Sequence, residues 1–173
     1  MTKKIMFSDD YCLTKAVLDG TKTMTRRLLK DNVPLGNWEE TVKHLPYKVG
    51  EVVAIAQSYY TIGKTQYDKF GNGVAGNRNK MFTRAELMPH HIKITGVKVE
   101  RLQSVSDDDI LREGVWQYPK LRAYHVSKAT GFVPDVAFLT AREAFAYLID
   151  RISGKGTWES NPWVAAYEFK LID

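Results

Sequence analysis

The segment from His91 to Gln103 constrains the fold most, because it alternates over a long run: Ile92, Ile94, Val97 and Val99 against Lys93, Thr95, Lys98 and Glu100. A period of two belongs to a strand with one buried face, so the chain must build a sheet. Gly96 interrupts the run and marks a bend or bulge. Trp163 to Ile172 repeats the pattern, with Trp163, Ala165, Tyr167, Phe169 and Leu171 on one face. Shorter strands are expected at Lys4 to Phe7 and Val52 to Gln57. Helices fall between them. Ser8, Asp9 and Asp10 offer N-caps for a helix through about Leu18, with Leu13, Ala16 and Val17 as its buried stripe and Gly20 as its left-handed end. Ser106 to Asp109 forms a capping box for a helix ending near Gly114. Thr140 to Glu143 forms another, before a stripe of Phe145, Leu148, Ile149 and Ile152 that stops at Gly154 and Gly156. Asp31 to Pro46 reads as a loop, and Trp116 to Asp135 is too uneven to assign. Strands at irregular spacing with two or three helices define an α+β chain, a small β-barrel with inserted helices.

At 173 residues this is expected to be one domain with a sizeable core. Twenty-five Lys and Arg against 20 Asp and Glu give a net charge of +5, a mild bias toward polyanionic partners. Cys12 is the only cysteine, which excludes an internal disulfide and a Cys-based zinc site. The adjacent His90 and His91 point to opposite faces of a strand and cannot share a metal. Asp107, Asp108 and Asp109 complement a helix dipole at its N-terminus. No metal and no cofactor is therefore expected. Phosphate-loop, dinucleotide and serine-hydrolase motifs are absent. No apolar run approaches the ~20 residues of a membrane span, and Met1 to Asp10 lacks the apolar stretch of a secretory leader. The expected location is cytoplasmic.

The chemistry concentrates in Gly20-Thr21-Lys22-Thr23-Met24-Thr25-Arg26-Arg27, the exit from the first helix into a strand. Strict alternation puts Thr21, Thr23, Thr25 and Arg27 on one face and Lys22, Met24 and Arg26 on the other. A twist or bulge near the strand start brings Lys22 and Thr25 to the same cleft. Cations beside hydroxyls suit an anion or a polar planar ligand such as a nucleobase. Glu113 stands at a helix C-terminus, where its charge opposes the dipole, and such misplacement points to function. Residues 63–84 hold Gly, Asn, Lys and Arg in the manner of a flexible basic flap over a cleft, and Tyr59, Tyr60 and Trp116 are candidate stacking rings.

These pieces, taken in order, resemble the ASCH domain family, whose fold is similar to the PUA domain. The matching elements are the Gly20 to Arg27 stretch, Tyr47-Lys48-Val49-Gly50-Glu51 entering a strand, and Met88-Pro89 leading into Ile94 to Gln103. Ser106 to Gly114 and Ser160-Asn161-Pro162-Trp163 with the Tyr167-Glu168-Phe169 strand complete the set. The arrangement is closest to longer members of bacteriophage and prophage type. The resemblance implies a PUA-like barrel that binds RNA or a modified nucleoside in a basic cleft. Alternatively it implies an amidohydrolase that deacylates N4-acetylcytidine, with Lys22, Thr25 and Glu113 as the catalytic residues. Thr23, Arg26, Arg27, Tyr59 and Arg101 are then the expected ligand contacts. A partner-binding phage protein is the third reading, favoured if side chains fill the cleft. One departure stands out: Ala56-Gln57 occupies the place where many members carry Arg-Glu.

Overall fold

A computed structural model describes residues 1–129 and 136–173. Part of the unassigned Trp116 to Asp135 stretch therefore lies outside the described residues. In chain order the elements are β1 (Lys3–Ile5), α1 (Leu13–Leu18), β2 (Met24–Leu28), α2 (Trp38–His44), β3 (Val52–Ile55), β4 (His91–Arg101) and α3 (Asp107–Arg112). Then follow β5 (Trp116–Gln117), β6 (Tyr124–Val126), β7 (Val136–Phe138), α4 (Ala141–Ser153), α5 (Thr157–Ser160) and β8 (Trp163–Leu171). The chain is α+β. Its main sheet has the order β1-β3-β4-β8-β2, and β5-β6-β7 form a second, smaller sheet.

The two long alternating segments are the spine of the main sheet, β4 lying antiparallel to β8 from Ile92↔Leu171 to Arg101↔Trp163. The register slips between Ile94 and Gly96, which makes Thr95 the extra residue of a bulge. On the other side of β8, β2 pairs antiparallel, with Thr25↔Tyr167, Arg26↔Ala166 and Arg27↔Ala165. Among the described strands only β1 and β3 run parallel. β1 and β2 end the strand order, and no ladder joins them among the described residues. One side chain links the two edges: Arg27 Nη2 donates to the Met6 carbonyl at 2.5 Å.

The core packs Phe7, Ile55, Ile94, Tyr167 and Phe169 of the strands and their ends against Leu13 and Val17 of α1 and Phe145 and Leu148 of α4. Thr140 caps α4 with the full reciprocal box, and Asp109 N donates to Ser106 Oγ at 3.2 Å to start α3. The Asp31 to Pro46 segment is not wholly loop: Asn37 Oδ1 accepts from Glu39 and Glu40 N and nucleates α2. That helix turns only Thr41 into the interior, so it shows no apolar stripe for a periodicity argument to find. α1 starts at Leu13, later than the acids that flag it, because Cys12 at φ 56° breaks the first turn.

The basic 63–84 segment is laid against the body through short 3₁₀ turns at Ala75–Asn77 and Lys80–Phe82, with a third, Ala85–Leu87, just after it. Lys4 Nζ donates to the carbonyls of Lys80, Met81 and Thr83 at 3.0, 2.7 and 2.5 Å. Lys80 in return bonds the Phe7 carbonyl and pairs with Asp9 at 2.9 Å. A second small core of Ala54, Tyr59, Ala85 and Met88 lies beneath. Gly76 makes this packing possible, since a Cβ there would sit 2.7 Å from the Tyr59 ring.

Candidate functional site

The start of β2 and the end of α3 are bolted together by one backbone bond and one side-chain bond, and the site grows from that junction. Thr23 N donates to the Arg112 carbonyl at 2.9 Å, and Arg112 Nε donates back to Thr23 Oγ1 at 3.0 Å. Lys22 precedes the strand, its N–H spent on the Ala16 carbonyl at 3.0 Å, so it escapes the pleat and turns inward. Its ammonium donates to the Met24 carbonyl at 2.7 Å, the Glu113 carbonyl at 2.6 Å and Glu113 Oε2 at 3.1 Å. The Glu113 carbonyl is one of the acceptors that a helix C-terminus leaves open, and the buried cation satisfies it. Gly114 then turns the chain at φ 112°; a Cβ there would lie 2.6 Å from Leu13 Cδ2.

Glu113 is gripped from both sides, for Arg26 Nη1 donates to Oε1 at 2.8 Å. Arg26 Nη2 reaches Glu100 at 2.7 Å and Asp109 at 3.2 Å. Lys22 and Glu113 side chains are only 2% and 4% exposed, so this is a desolvated network in which each charge needs its partner. Burial pushes the Lys22 ammonium below the ordinary lysine range, with the Glu113 charge restoring part of the loss. Burial works the other way on Asp109, yet bonds from Arg26 and Lys98 hold its carboxyl below the usual range.

Lys22, Thr25, Arg26, Arg27 and Glu113 line one cavity of about 100 Å³. No hydrogen bond engages the Thr25 hydroxyl among the described residues, although the residue is buried. Phe145, Leu148, Ile149 and Ile152 of α4 line the same cavity as an apolar wall. The cavity is small beside the ~300–1,000 Å³ of ordinary ligand pockets, so a ligand larger than its inner end needs α4 to shift.

The expected contacts separate when placed in space. Lys22, Thr25 and Glu113 come together. Thr23 is taken up by Arg112, and Arg26 by three carboxylates, which leaves neither directed at a ligand. Arg27 lines the cavity, its guanidinium over the Phe7 ring at 5.5 Å. Tyr59 is buried in the second core, its hydroxyl accepting from Arg84 N at 2.9 Å, so its ring offers no stacking face. Arg101 lies elsewhere, over the Trp163 ring at 4.6 Å. Ala56 and Gln57 are both buried; Gln57 Oε1 has no partner among the described residues, and the Gln57 backbone N–H donates to Met88 Sδ at 3.2 Å. Sequence reasoning missed Glu100 and Asp109 as the acids that hold Arg26, and the α4 stripe as a wall of the site. The stripe was visible, and only its direction was not. No group of three or more His, Cys, Asp or Glu able to hold a metal occurs among the described residues, and no helix there is long and apolar enough to cross a membrane.

No family model matches the chain, and no curated protein matches it. Among solved structures it is similar to a protein of Enterococcus faecalis V583 described under the family model DUF984, with TM-score 0.47, 14% identity, and coverage of 100% of this chain and 82% of that one. It is also similar to an ASCH domain from Lactobacillus crispatus JV V101, with TM-score 0.43, 15% identity, and coverage of 98% and 78%.

Proposed function

We propose that this chain is an ASCH-type protein with a PUA-like fold, whose Lys22 cavity receives the polar edge of a modified nucleoside and hydrolyses an amide on it. One observation carries the reading: an ammonium, an unengaged hydroxyl and a carboxylate converge on a single desolvated cavity. Hydrolysing an amide needs a nucleophile, a base to activate it and a proton for the leaving nitrogen. Thr25 Oγ1 attacks the acyl carbon or positions the attacking water. Lys22, whose burial favours the neutral amine, takes the proton released. That proton returns to the leaving nitrogen through Glu113, whose Oε2 lies 3.1 Å from Lys22 Nζ. Water supplies the hydroxyl of the acid product and the hydrogen of the freed amine. N4-acetylcytidine is the substrate that the sequence resemblance implies.

The test is incubation with N4-acetylcytidine, followed by chromatography, beside a Lys22→Ala control. Cytidine from the wild type and none from the variant is the expected result. Absence of both turnover and saturable nucleoside binding would overturn the proposal.

A second reading, RNA binding, is favoured by a different region. Residues 60–84 carry Lys64, Lys69, Arg78, Lys80 and Arg84 against the single acid Asp68. Tyr60 and Tyr67, 79% and 66% exposed, line a shallow hollow of about 500 Å³ with Arg78. Exposed rings beside cations suit stacked bases of a single strand. On this reading affinity for an RNA oligonucleotide falls steeply with salt, while nucleoside turnover does not.

A further inference from the structure

Beside β2 lies a further cavity, of about 180 Å³, lined among others by Arg27, Lys30, His44, Leu45, Ala165 and Tyr167. No Asp or Glu lines it. Its floor holds two polar side chains with hydrogen-bonding capacity to spare. Tyr167 is fully buried; the Tyr47 backbone faces its hydroxyl as a donor, and among the described residues no acceptor takes the phenol's own proton. Arg27 Nε is likewise buried and unpartnered. Among the described residues the Arg27 guanidinium donates to the Met6 carbonyl and lies over the Phe7 ring; no carboxylate stands within 4 Å, and the Glu113 charge acts on it only from farther off.

A half-buried cation with no carboxylate in direct contact is a place where a bound anion makes charge-assisted hydrogen bonds. Two buried donors aimed at one hollow from adjacent strands define where that anion goes. Thr25↔Tyr167 and Arg27↔Ala165 are register pairs, so Arg27 and Tyr167 share one face of the sheet. Lys30 and His44, both exposed, edge the opening with donors of the same kind, while Leu45 and Ala165 give it apolar walls. Burial raises the Tyr167 pKa to about 12, so the phenol remains a donor at every physiological pH.

The geometry points to a binding site for a small oxyanion, a phosphate or carboxylate group held between the Arg27 guanidinium and the Tyr167 hydroxyl. This site is independent of the nucleoside reading and stands if that reading fails. Arg27 also lines the Lys22 cavity, so one ligand bearing both a planar polar end and an oxyanion can reach from one hollow to the other.

The test is titration calorimetry of the whole chain with inorganic phosphate and, separately, with acetate. Saturable binding of at least one is expected, and the tighter of the two identifies the oxyanion. Tyr167→Phe, which removes one oxygen only, should weaken that binding about tenfold, and Arg27→Gln should abolish it. Thermal melting checks that each variant folds; should Arg27→Gln fail to fold, Tyr167→Phe decides alone. Absence of saturable binding of either anion to the wild type, or binding that Tyr167→Phe leaves unchanged, overturns the assignment.

Discussion

Arg26 and Arg27 are neighbours in sequence on one edge strand, and they live in opposite electrostatic worlds. Alternation sends Arg26 to the face that carries Lys98 and Glu100, where three carboxylates close around it. It sends Arg27 to the face of Tyr167, where no carboxylate touches it among the described residues and the Tyr167 phenol has no acceptor; Arg26 Nε is unpartnered as well, so the contrast lies in the carboxylates. A residue whose every charge is met inside the fold is a fixture that positions others. A residue whose charge is unmet is where the fold has left room for something from outside.

Removing Arg26 should produce the largest effect of those considered. Arg26→Ala leaves Glu113, Glu100 and Asp109 without their shared cation, and urea denaturation should record a loss of about 3–5 kcal/mol. Should Arg27→Met cost as much, the contrast between the two arginines breaks.

Next is the junction that presents Glu113. Gly114→Ala forces a side chain onto a φ of 112° and against Leu13, and should cost about 1–3 kcal/mol. It disturbs the paired side alone, so oxyanion binding in calorimetry should survive while nucleoside turnover falls. Loss of both would show that the two hollows are one mechanical unit.

The unpaired side should be nearly silent in stability. Tyr167→Phe removes a hydroxyl that donates to nothing, and its unfolding free energy should stay within about 1 kcal/mol of the wild type, in either direction. Arg27→Met should behave likewise, since it exchanges a half-buried cation with no carboxylate in contact for apolar volume.

The smallest effect is a pH dependence. The Asp109 carboxyl sits below its ordinary pKa, burial notwithstanding, because Arg26 and Lys98 bond it. In the window between its folded and unfolded values the unfolded chain binds more protons, so stability there rises with pH. The contribution is present above the unfolded value of 3.8 and is lost as pH falls through the folded one. Asp109→Asn should flatten that acid limb in melts taken at a series of pH values; an unchanged limb would remove Asp109 from the account.

Much of this was legible in the chain. Period-two runs gave β4 and β8, Gly96 gave the bulge, and the Thr140 box gave α4, because each is a local rule with a local cause. Of the Gly20 to Arg27 stretch, Lys22 and Arg26 meet Glu113 in one place. What stayed hidden was non-local. Glu100 read as the polar face of a strand and Asp109 as a dipole complement, since nothing nearby in sequence says that Arg26 will be buried between them. α2 was missed because it barely touches the core. Tyr59 and Tyr60 look alike in sequence; folding against Gly76 buries one and leaves the other exposed. Tyr167 read as a core residue on the strand's buried face, and only the register with Thr25 reveals an idle hydroxyl.

Thr25 is a buried threonine whose hydroxyl makes no hydrogen bond among the described residues. The decisive measurement is the rate of cytidine release from N4-acetylcytidine by wild type, Thr25→Ser and Thr25→Ala, with melting temperatures taken alongside. The account predicts that all three melt within a few degrees of each other, that the serine variant retains turnover and that the alanine variant loses it. An alanine variant that works as fast as the wild type would contradict it.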